Sequence, residues 1–235
     1  MIFDAKKLAA SVFALSLLAV VATVLWPARS SVHRVEPRFA LLGSAYFLLI
    51  GLGFMFIEIG LIQRLSVFLG HPVYALGIVL FSIILSTGIG SLLSERFAPS
   101  APAGLLLWLS ALVAYLLSLP HWLPSVTQSS VEAAGLFVRA AVSVGVILPA
   151  GVLMGFGFPT GMRLATAHDA RPTPWFWGVN GAAGVLAAGL AVVCSIGFSI
   201  DATVRVGAVC YLLLAPVAVL LSKGQHALRS RRAVA

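Results

Sequence analysis

The feature that most constrains this chain is a series of long apolar runs separated by short polar connections. Most of the runs approach the ~20 residues that a helix needs to cross a bilayer. Lipid offers no hydrogen bonds to the backbone, and the runs are too uniformly apolar for barrel strands, so the sequence predicts an all-α, polytopic transmembrane helical bundle. The seven predicted spans cover approximately residues 8–26, 39–62, 73–93, 103–119, 134–158, 176–200 and 203–221.

The composition agrees with a membrane protein. Of the 235 residues, 60% are hydrophobic and 9% are charged, whereas about a quarter of the residues in a soluble domain are charged. The connections are too short to form domains, so residues 1–235 are predicted to form one integral membrane domain without a soluble catalytic domain. The run Leu8–Trp26 is longer than the ~7–15 residues of a signal-peptide core, and we interpret it as a retained span.

The net charge of +8 comes from basic residues in the connections and near the C-terminus. Such residues set the orientation of a membrane protein and face anionic lipid. The sequence contains no basic stripe with interleaved aromatic residues, which nucleic-acid binding would favour. The positive-inside rule places the C-terminus in the cytoplasm and the N-terminus outside. Lys6 and Lys7 argue against an N-terminus outside the cytoplasm. A re-entrant segment or a miscounted span would put the N-terminus inside.

A single acid, Glu58, interrupts the apolar stretch GLGFMFIEIGLIQRL at residues 51–65. An ionised carboxylate at membrane depth is costly and usually faces the protein interior or a wet cavity. One interpretation is a site for a cation or proton, or an acid that binds a ligand. The other is a structural pair with Arg163, Arg205, a backbone donor or Asn180.

The helical wheel separates this acid from two glycines of the same span, whereas Gly51 shares its side. Gly53, Gly60 and Arg64 lie roughly opposite Glu58, so Arg64 is not its partner one turn away. The pattern predicts one helix face that is smooth enough for close packing and another face that presents the acid.

The polar residues at the span ends have simpler interpretations. Gln63 and Arg64 are predicted to lie at the membrane interface, and His71-Pro72 predicts a turn and a helix start. A role for His71 as an axial ligand is the alternative. Arg163 lies just past the fifth span, and Asn180 is predicted to cap the sixth span or to bond across helices. The remaining histidines are predicted in loops or tails: His33, His121, His168 and His226.

Small residues recur at helical spacing and predict close helix contacts. Pro149, followed by several glycines, predicts a kink and favours, as an alternative, a broken helix of the kind that transporters use. The small-residue stripes are Ser82, Ser86, Gly90 and Ser94 in the third span, Gly151 and Gly155 in the fifth, and Gly181, Gly184, Ala188, Ala191 and Ser195 in the sixth.

Four segments, taken in order, carry a resemblance to a known family. They are GLGFMFIEIGLIQRLSVFLGHPVYALGIVLFS, the GxGS at residues 88–91, GFPTGMRL and PWFWGVNGAAGVLA. Together they resemble the membrane region of bacterial spermidine-synthase-like proteins, in which a multi-helix membrane part is fused to an aminopropyltransferase-like domain. The resemblance extends from Phe39 to the end, and no synthase-like segment accompanies it here, so it implies the membrane module alone.

The motif residues that the resemblance marks as candidate ligand-binding positions are Glu58, Arg64, His71, Arg163 and Asn180. The sequence contains no catalytic triad, phosphate loop or metal-ligand spacing, and so predicts neither a cofactor nor a bound metal.

Three functions follow as hypotheses. The first is a non-enzymatic integral membrane subunit that packs in the lipid bilayer against a membrane protein partner or a second copy of itself. The second is a small transporter or channel for a cation such as a polyamine, with Glu58 as the binding acid. The third is a cofactor- or pigment-binding membrane protein. The resemblance implies the bacterial inner membrane as the location.

Overall fold

The described part of the chain is helical throughout. The computed structural model describes residues 35–97, 99, 101–128 and 135–234, together with 11, 14, 15, 17–19, 21, 22 and 26–32, and for residues 27, 72 and 225–234 it describes the backbone alone. The helices are α1 (Pro37–Leu69), α2 (Pro72–Arg96), α3 (Pro102–Gln128), α4 (Leu136–Gly155), α5 (Gly157–Thr166), α6 (Thr173–Gly197) and α7 (Ile200–Val234). A short helical turn, Trp26–Ala28, and a 3-10 turn, Arg29–Ser31, precede them.

Six helical segments in the described residues are long and apolar enough to cross a membrane. They comprise α1, α2, α3, the α4–α5 pair, α6 and the first 25 residues of α7. The prediction of a multi-pass helical protein is therefore confirmed. The seventh predicted span, residues 8–26, lies largely outside the described residues.

One predicted connection is helical instead. The segment after Leu119 was predicted to be a linker, but α3 continues through Pro120 and Pro124 to Gln128. Leu119 and Leu123 are buried there, and this burial offsets the backbone hydrogen bonds that the prolines remove. The histidine predictions change with these boundaries: His121 lies in α3 and the backbone of His226 lies in α7, whereas His168 lies in the α5–α6 connection as predicted.

The central helix is α1. In its most apolar 18-residue window 56% of the residues are buried, the largest share among the six spans. It packs most extensively against α6 and α7 and also contacts α2, while α4 packs on α2 and α3 packs on α7. A Cβ on Gly53 would lie 3.0 Å from Tyr211 Cε2, and one on Gly60 would lie 2.7 Å from Val204 Cγ2. The predicted smooth face of this span is therefore confirmed as the α1–α7 contact.

The small-residue stripe of α2 also packs closely, against α4. Ser82, Ser86, Gly90 and Ser94 are all buried. A Cβ on Gly155 would lie 3.0 Å from Gly90 Cα, so the two backbones approach at the predicted glycine pair of α4. This prediction is confirmed.

The stripe predicted on α6 is wrong in its position. Of its five members only Ala191 is buried, and Gly181 has no neighbour within 4 Å of a Cβ built on it. The buried line toward α1 consists of Ala183, Ala187 and Ala191. Alanine at these positions permits a close helix contact as glycine does. The positions of small residues therefore did not identify which face of α6 packs against α1.

The outer surface of the bundle is apolar. Phe81 and Ile84 of α2 and Val193 and Ile196 of α6 expose between 57% and 82% of their surfaces. In water such a surface would be unfavourable, and in a bilayer it is the lipid contact.

Candidate functional site

Glu58 is buried in the second half of the central helix, with 8% of the residue exposed. Among the described residues, none donates a hydrogen bond to its carboxylate or forms an ion pair with it. Helical periodicity places Glu58 on the face of α1 that also carries Gly51, Phe54 and Met55. A buried carboxylate without a partner is unfavourable, so a bound cation or a proton would stabilise this position.

The structural pairs predicted for Glu58 do not form within the described part of the chain. Arg163 instead donates hydrogen bonds to Thr160 Oγ1 at 3.1 Å and to Ser94 Oγ at 3.4 Å, which links α5 to α2. Arg205 is exposed near the start of α7. The structural explanation of the acid is therefore not supported by either arginine.

Arg64 has a partner that the sequence analysis missed. Its guanidinium forms an ion pair with the carboxylate of Asp201, in the first turn of α7. The two side chains are 24% and 36% exposed, so the pair is partly shielded from solvent. Asp201 lies 137 positions away along the chain. The signal in the sequence was an acid at the start of the last span. This start lies on the same side of the membrane as the end of the span that contains Arg64.

His71 lies in the turn that joins α1 to α2. Gly70 has a φ of 77°, the left-handed conformation that favours glycine, and its N–H bonds to the Ser66 carbonyl. Extended backbone at His71 then leads into Pro72, the first residue of α2. The predicted turn and helix start are confirmed, and the exposed His71 ring contacts Tyr74.

Arg139 is a second residue that the sequence analysis missed. It lies on α4 and donates a hydrogen bond of 3.2 Å from Nη1 to the carbonyl of Phe68, in the last turn of α1. A cation near the C-terminal end of a helix interacts favourably with the helix dipole. A lone arginine in the apolar stretch LFVRAAV was the available signal.

A cavity of about 310 Å³ lies beside the face of α1 that carries Glu58. This volume is at the lower end of the ~300–1,000 Å³ typical of small-molecule sites. The cavity lies near the middle of α1 and near the middle of the membrane-length part of α7. Its lining residues are Ile50, Gly51, Phe54 and Met55 of α1, Met154 of α4, Phe158 of α5, Asn180, Gly181 and Gly184 of α6, and Tyr211 of α7.

Glu58 itself does not line this cavity. It lies one helical turn beyond Phe54 and Met55, about 5–6 Å further along α1. The acid and the cavity are therefore neighbours on one helix face, at a separation that an elongated ligand can span.

Two polar side chains line the cavity. Asn180 was predicted to cap α6 or to bond across helices, but α6 begins at Thr173, so Asn180 lies two turns inside the helix and cannot cap it. Its side chain makes no hydrogen bond with a described residue. Tyr211 is 1% exposed, and its hydroxyl likewise has no described partner. Both groups are available to hydrogen-bond a ligand.

A helix break forms part of the cavity wall. The α4 helix contains Pro149 and ends at Gly155, and α5 begins at Gly157. Between them the N–H of Phe156 bonds to the Leu153 carbonyl at 3.4 Å, a tighter turn than the α-helix makes. Phe156 keeps helical dihedrals (φ −69°, ψ −23°), so the predicted interruption is a single tightened turn in one membrane-length segment, between the lining residues of α4 and α5.

Aromatic side chains stabilise the broken region by donating to its backbone carbonyls. Each bond ties this region to a neighbouring helix by a side-chain donor, in surroundings where lipid supplies none. The bonds are Trp108 Nε1 to the Leu153 carbonyl (2.7 Å), Tyr115 hydroxyl to the Val146 carbonyl (2.7 Å) and Tyr46 hydroxyl to the Gly157 carbonyl (2.9 Å).

The described residues contain no group of three or more histidine, cysteine, aspartate or glutamate side chains that could hold a metal ion. Cys194 and Cys210 are free thiols, and Cys210 packs against Gly53 in the α1–α7 contact. The chemistry that the arrangement supports is binding, through one acid, two hydrogen-bonding side chains and an apolar wall.

Comparison of the chain with protein-family models, with curated proteins and with solved structures finds no match. The resemblance to the membrane region of spermidine-synthase-like proteins therefore stays a prediction from the motifs.

Proposed function

We propose that this chain is a multi-pass membrane protein that binds a small cation within its helical bundle and carries it across the membrane, with Glu58 as the binding acid. The observation that supports this proposal is the burial of Glu58 without a described partner, one turn from a cavity on the same helix face. A cation at this acid would offset the cost of burying its charge.

The cavity wall supports transport in addition to binding. Transporter sites commonly lie near the bilayer midplane where a helix is interrupted, because the interruption frees backbone groups and permits movement. The break between Gly155 and Gly157 borders the cavity, and the cavity lies at the middle of α1. A change in the α4–α5 angle would open the cavity to one side of the membrane.

The charge distribution supports a cytoplasmic C-terminus, in a bacterial inner membrane, as part of this proposal. More basic residues lie on the side of the bundle where α2 and α5 end than on the opposite side. On the first side are Arg38, Arg96, Arg163, Arg171 and Lys223, and on the other are Arg64, Arg139 and Arg205. Reporter fusions at the C-terminus test the assignment.

The accessory-subunit function stays a second prediction. Its main motivation was the set of small-residue stripes, and the stripe of α2 packs against α4 of the same chain. Purification in mild detergent, followed by mass spectrometry of the co-purifying proteins, tests it. A stoichiometric partner that binds in the absence of any transport activity would favour this function over the first.

The transport proposal is tested by uptake into proteoliposomes. Two probe cations, benzyltrimethylammonium and spermidine, are supplied separately to vesicles that contain the wild-type chain or a variant. We expect uptake of at least one probe, and a decrease of about tenfold or more in Glu58→Gln, which keeps the size of the side chain and removes its charge.

Glu95→Gln is the matched control, because Glu95 is exposed near the end of α2. We expect its uptake to equal that of the wild type. Absence of uptake of both probes, or equal uptake by the wild type and Glu58→Gln, would overturn the proposal.

A further inference from the structure

We infer from the charge and lining of the site that its ligand is a lipophilic monocation, an amine or quaternary ammonium group on an apolar body, and not a polyamine. This inference rests on the proposed cation-binding function and narrows the class of ligand. It concerns Glu58 and the cavity bounded by Phe54, Phe158, Asn180 and Tyr211.

The number of acids limits the charge of the ligand. Among the described acids, Glu58 alone lies in the interior of a membrane-spanning helix. The others lie at helix ends or in connections: Glu36, Glu95, Asp169 and Asp201. One carboxylate compensates one positive charge. A polyamine brings several charges, and those left uncompensated among apolar side chains would each be costly to bury.

The lining of the cavity suits an apolar body. Phe54 and Phe158 supply aromatic rings, which attract cations and quaternary ammonium groups in particular. Met55 and Met154 supply flexible, polarizable side chains that adapt to irregular ligands. These four side chains provide contact area for an uncharged portion of the ligand and no compensation for additional charges.

The spacing along α1 sets the orientation of the ligand. Glu58 lies one turn, about 5–6 Å, beyond Phe54 and Met55. The cationic end is therefore expected at Glu58 and the apolar body in the cavity. The Asn180 amide and the Tyr211 hydroxyl, which have no described partners, are available to any polar group on the body.

Gly181 permits a direct test of cavity occupancy. It lines the cavity and has no atom within 4 Å of a Cβ built on it, so Gly181→Leu adds a side chain beside the cavity without a clash at its Cβ. Gly145 of α4 also has no such neighbour and does not line the cavity. Gly145→Leu is therefore the matched control for the change from glycine to leucine in a helix.

The experiment measures binding of radiolabelled benzyltrimethylammonium to the purified full chain in mild detergent, as the fraction displaced by excess unlabelled probe. We expect saturable binding to the wild type and to Gly145→Leu, and a loss of about tenfold or more in affinity for Gly181→Leu and Glu58→Gln. Neopentylbenzene, the uncharged analogue of the probe, and spermidine are added as competitors, and we expect both to compete at least about tenfold more weakly than unlabelled probe.

The outcomes separate this inference from the proposed function. If spermidine binds more tightly than benzyltrimethylammonium and this binding is lost in Glu58→Gln, the monocation inference is overturned. The proposed cation-binding function is retained in that case. Competition by neopentylbenzene as strong as that of the unlabelled probe would overturn the assignment of a charged end to the ligand. Unchanged affinity in Gly181→Leu would overturn the assignment of the cavity as the binding site. Absence of binding by both cations would overturn the proposed function itself.

Discussion

The Tyr46 hydroxyl of α1 donates a hydrogen bond of 2.9 Å to the carbonyl of Gly157, the residue at which α5 begins after the helix break. Tyr46 is fully buried, and its ring packs against Gly161 on the next turn of α5. The contact joins residues 111 positions apart along the chain. It fixes one side of the broken helix to the central helix, next to the cavity.

Removing this donor should destabilise the bundle. In Tyr46→Phe the Gly157 carbonyl loses its side-chain donor and keeps its bond within α5, and we expect the free energy of unfolding to fall by about 1 kcal/mol. Unfolding in mild detergent measures the change. Tyr74→Phe is the control, because Tyr74 is about half exposed and makes no hydrogen bond to a described residue. Equal stability of the two variants would contradict the assigned role of Tyr46.

The α2–α4 contact predicts opposite effects at two glycines of α2. A Cβ on Gly90 would clash with the Val152 carbonyl, a backbone atom that cannot rotate away, whereas a Cβ on Gly88 meets nothing within 4 Å. Gly90→Ala should therefore lower the unfolding free energy by about 1–3 kcal/mol. Gly88→Ala should leave it unchanged or raise it by up to about 1 kcal/mol, because alanine favours the helix. Thermal unfolding of both variants compares them, and destabilisation by both to the same degree would argue against this helix contact.

The ion pair between Arg64 and Asp201 should appear as a coupling between α1 and α7. Because both side chains are partly exposed, we expect an interaction free energy of about 1 kcal/mol in a double-mutant cycle of Arg64→Ala and Asp201→Ala. The control cycle pairs Asp201→Ala with Arg38→Ala, since Arg38 is exposed at the opposite end of α1. A coupling as large in the control cycle would show that the effect is not specific to Arg64.

The connection between α5 and α6 should respond to acid pH. The Arg171 guanidinium donates to both carboxylate oxygens of Asp169, and these hydrogen bonds hold the pKa of Asp169 below its usual value. A folded-state pKa that lies below the unfolded value of about 3.9 stabilises the fold above that pH, and the contribution is lost as the pH falls through the folded-state pKa.

Asp169→Asn should therefore lower the unfolding temperature slightly at pH 7 and have less effect near pH 3. Arg171→Gln should show the same trend, because it removes the other half of the pair. The effect is small, since Arg171 is exposed to solvent. An unfolding-temperature difference that stays constant between the two pH values would contradict the assignment.

The span assignment could be made from the sequence because it depends on local composition. The run that contains Glu58 and the run after Pro72 are helical and begin within two residues of the predicted starts, but the first helix ends at Leu69 and not at Ile62. The errors came where a tertiary contact extends a helix: burial of Leu119 and Leu123 continues α3 past two prolines that the sequence indicates as a boundary. Similarly, α6 packs through Ala183 and Ala187, which were not members of the predicted stripe.

The candidate site was predictable only in part. Glu58 could be identified because an acid in an apolar run is conspicuous, and Asn180 because it enters a span. The cavity between them was not predictable, since it depends on how α1, α5, α6 and α7 meet. Tyr211 had no signal in the sequence, because a tyrosine in an apolar span is unremarkable until its hydroxyl is found without a described partner.

The sequence by itself determined that the chain forms apolar helices, where they begin to within about three residues, and that one acid lies within them. Each of these properties follows from residues that are close together in the chain and from the requirement that lipid-exposed backbone be hydrogen-bonded internally. The tertiary structure decided which faces meet, as in the pairing of Arg64 with Asp201 and of Tyr46 with Gly157. Lipid is as apolar as the side chains, so hydrophobicity does not decide which helix faces meet. The shapes and hydrogen bonds of residues that are distant in sequence decide it.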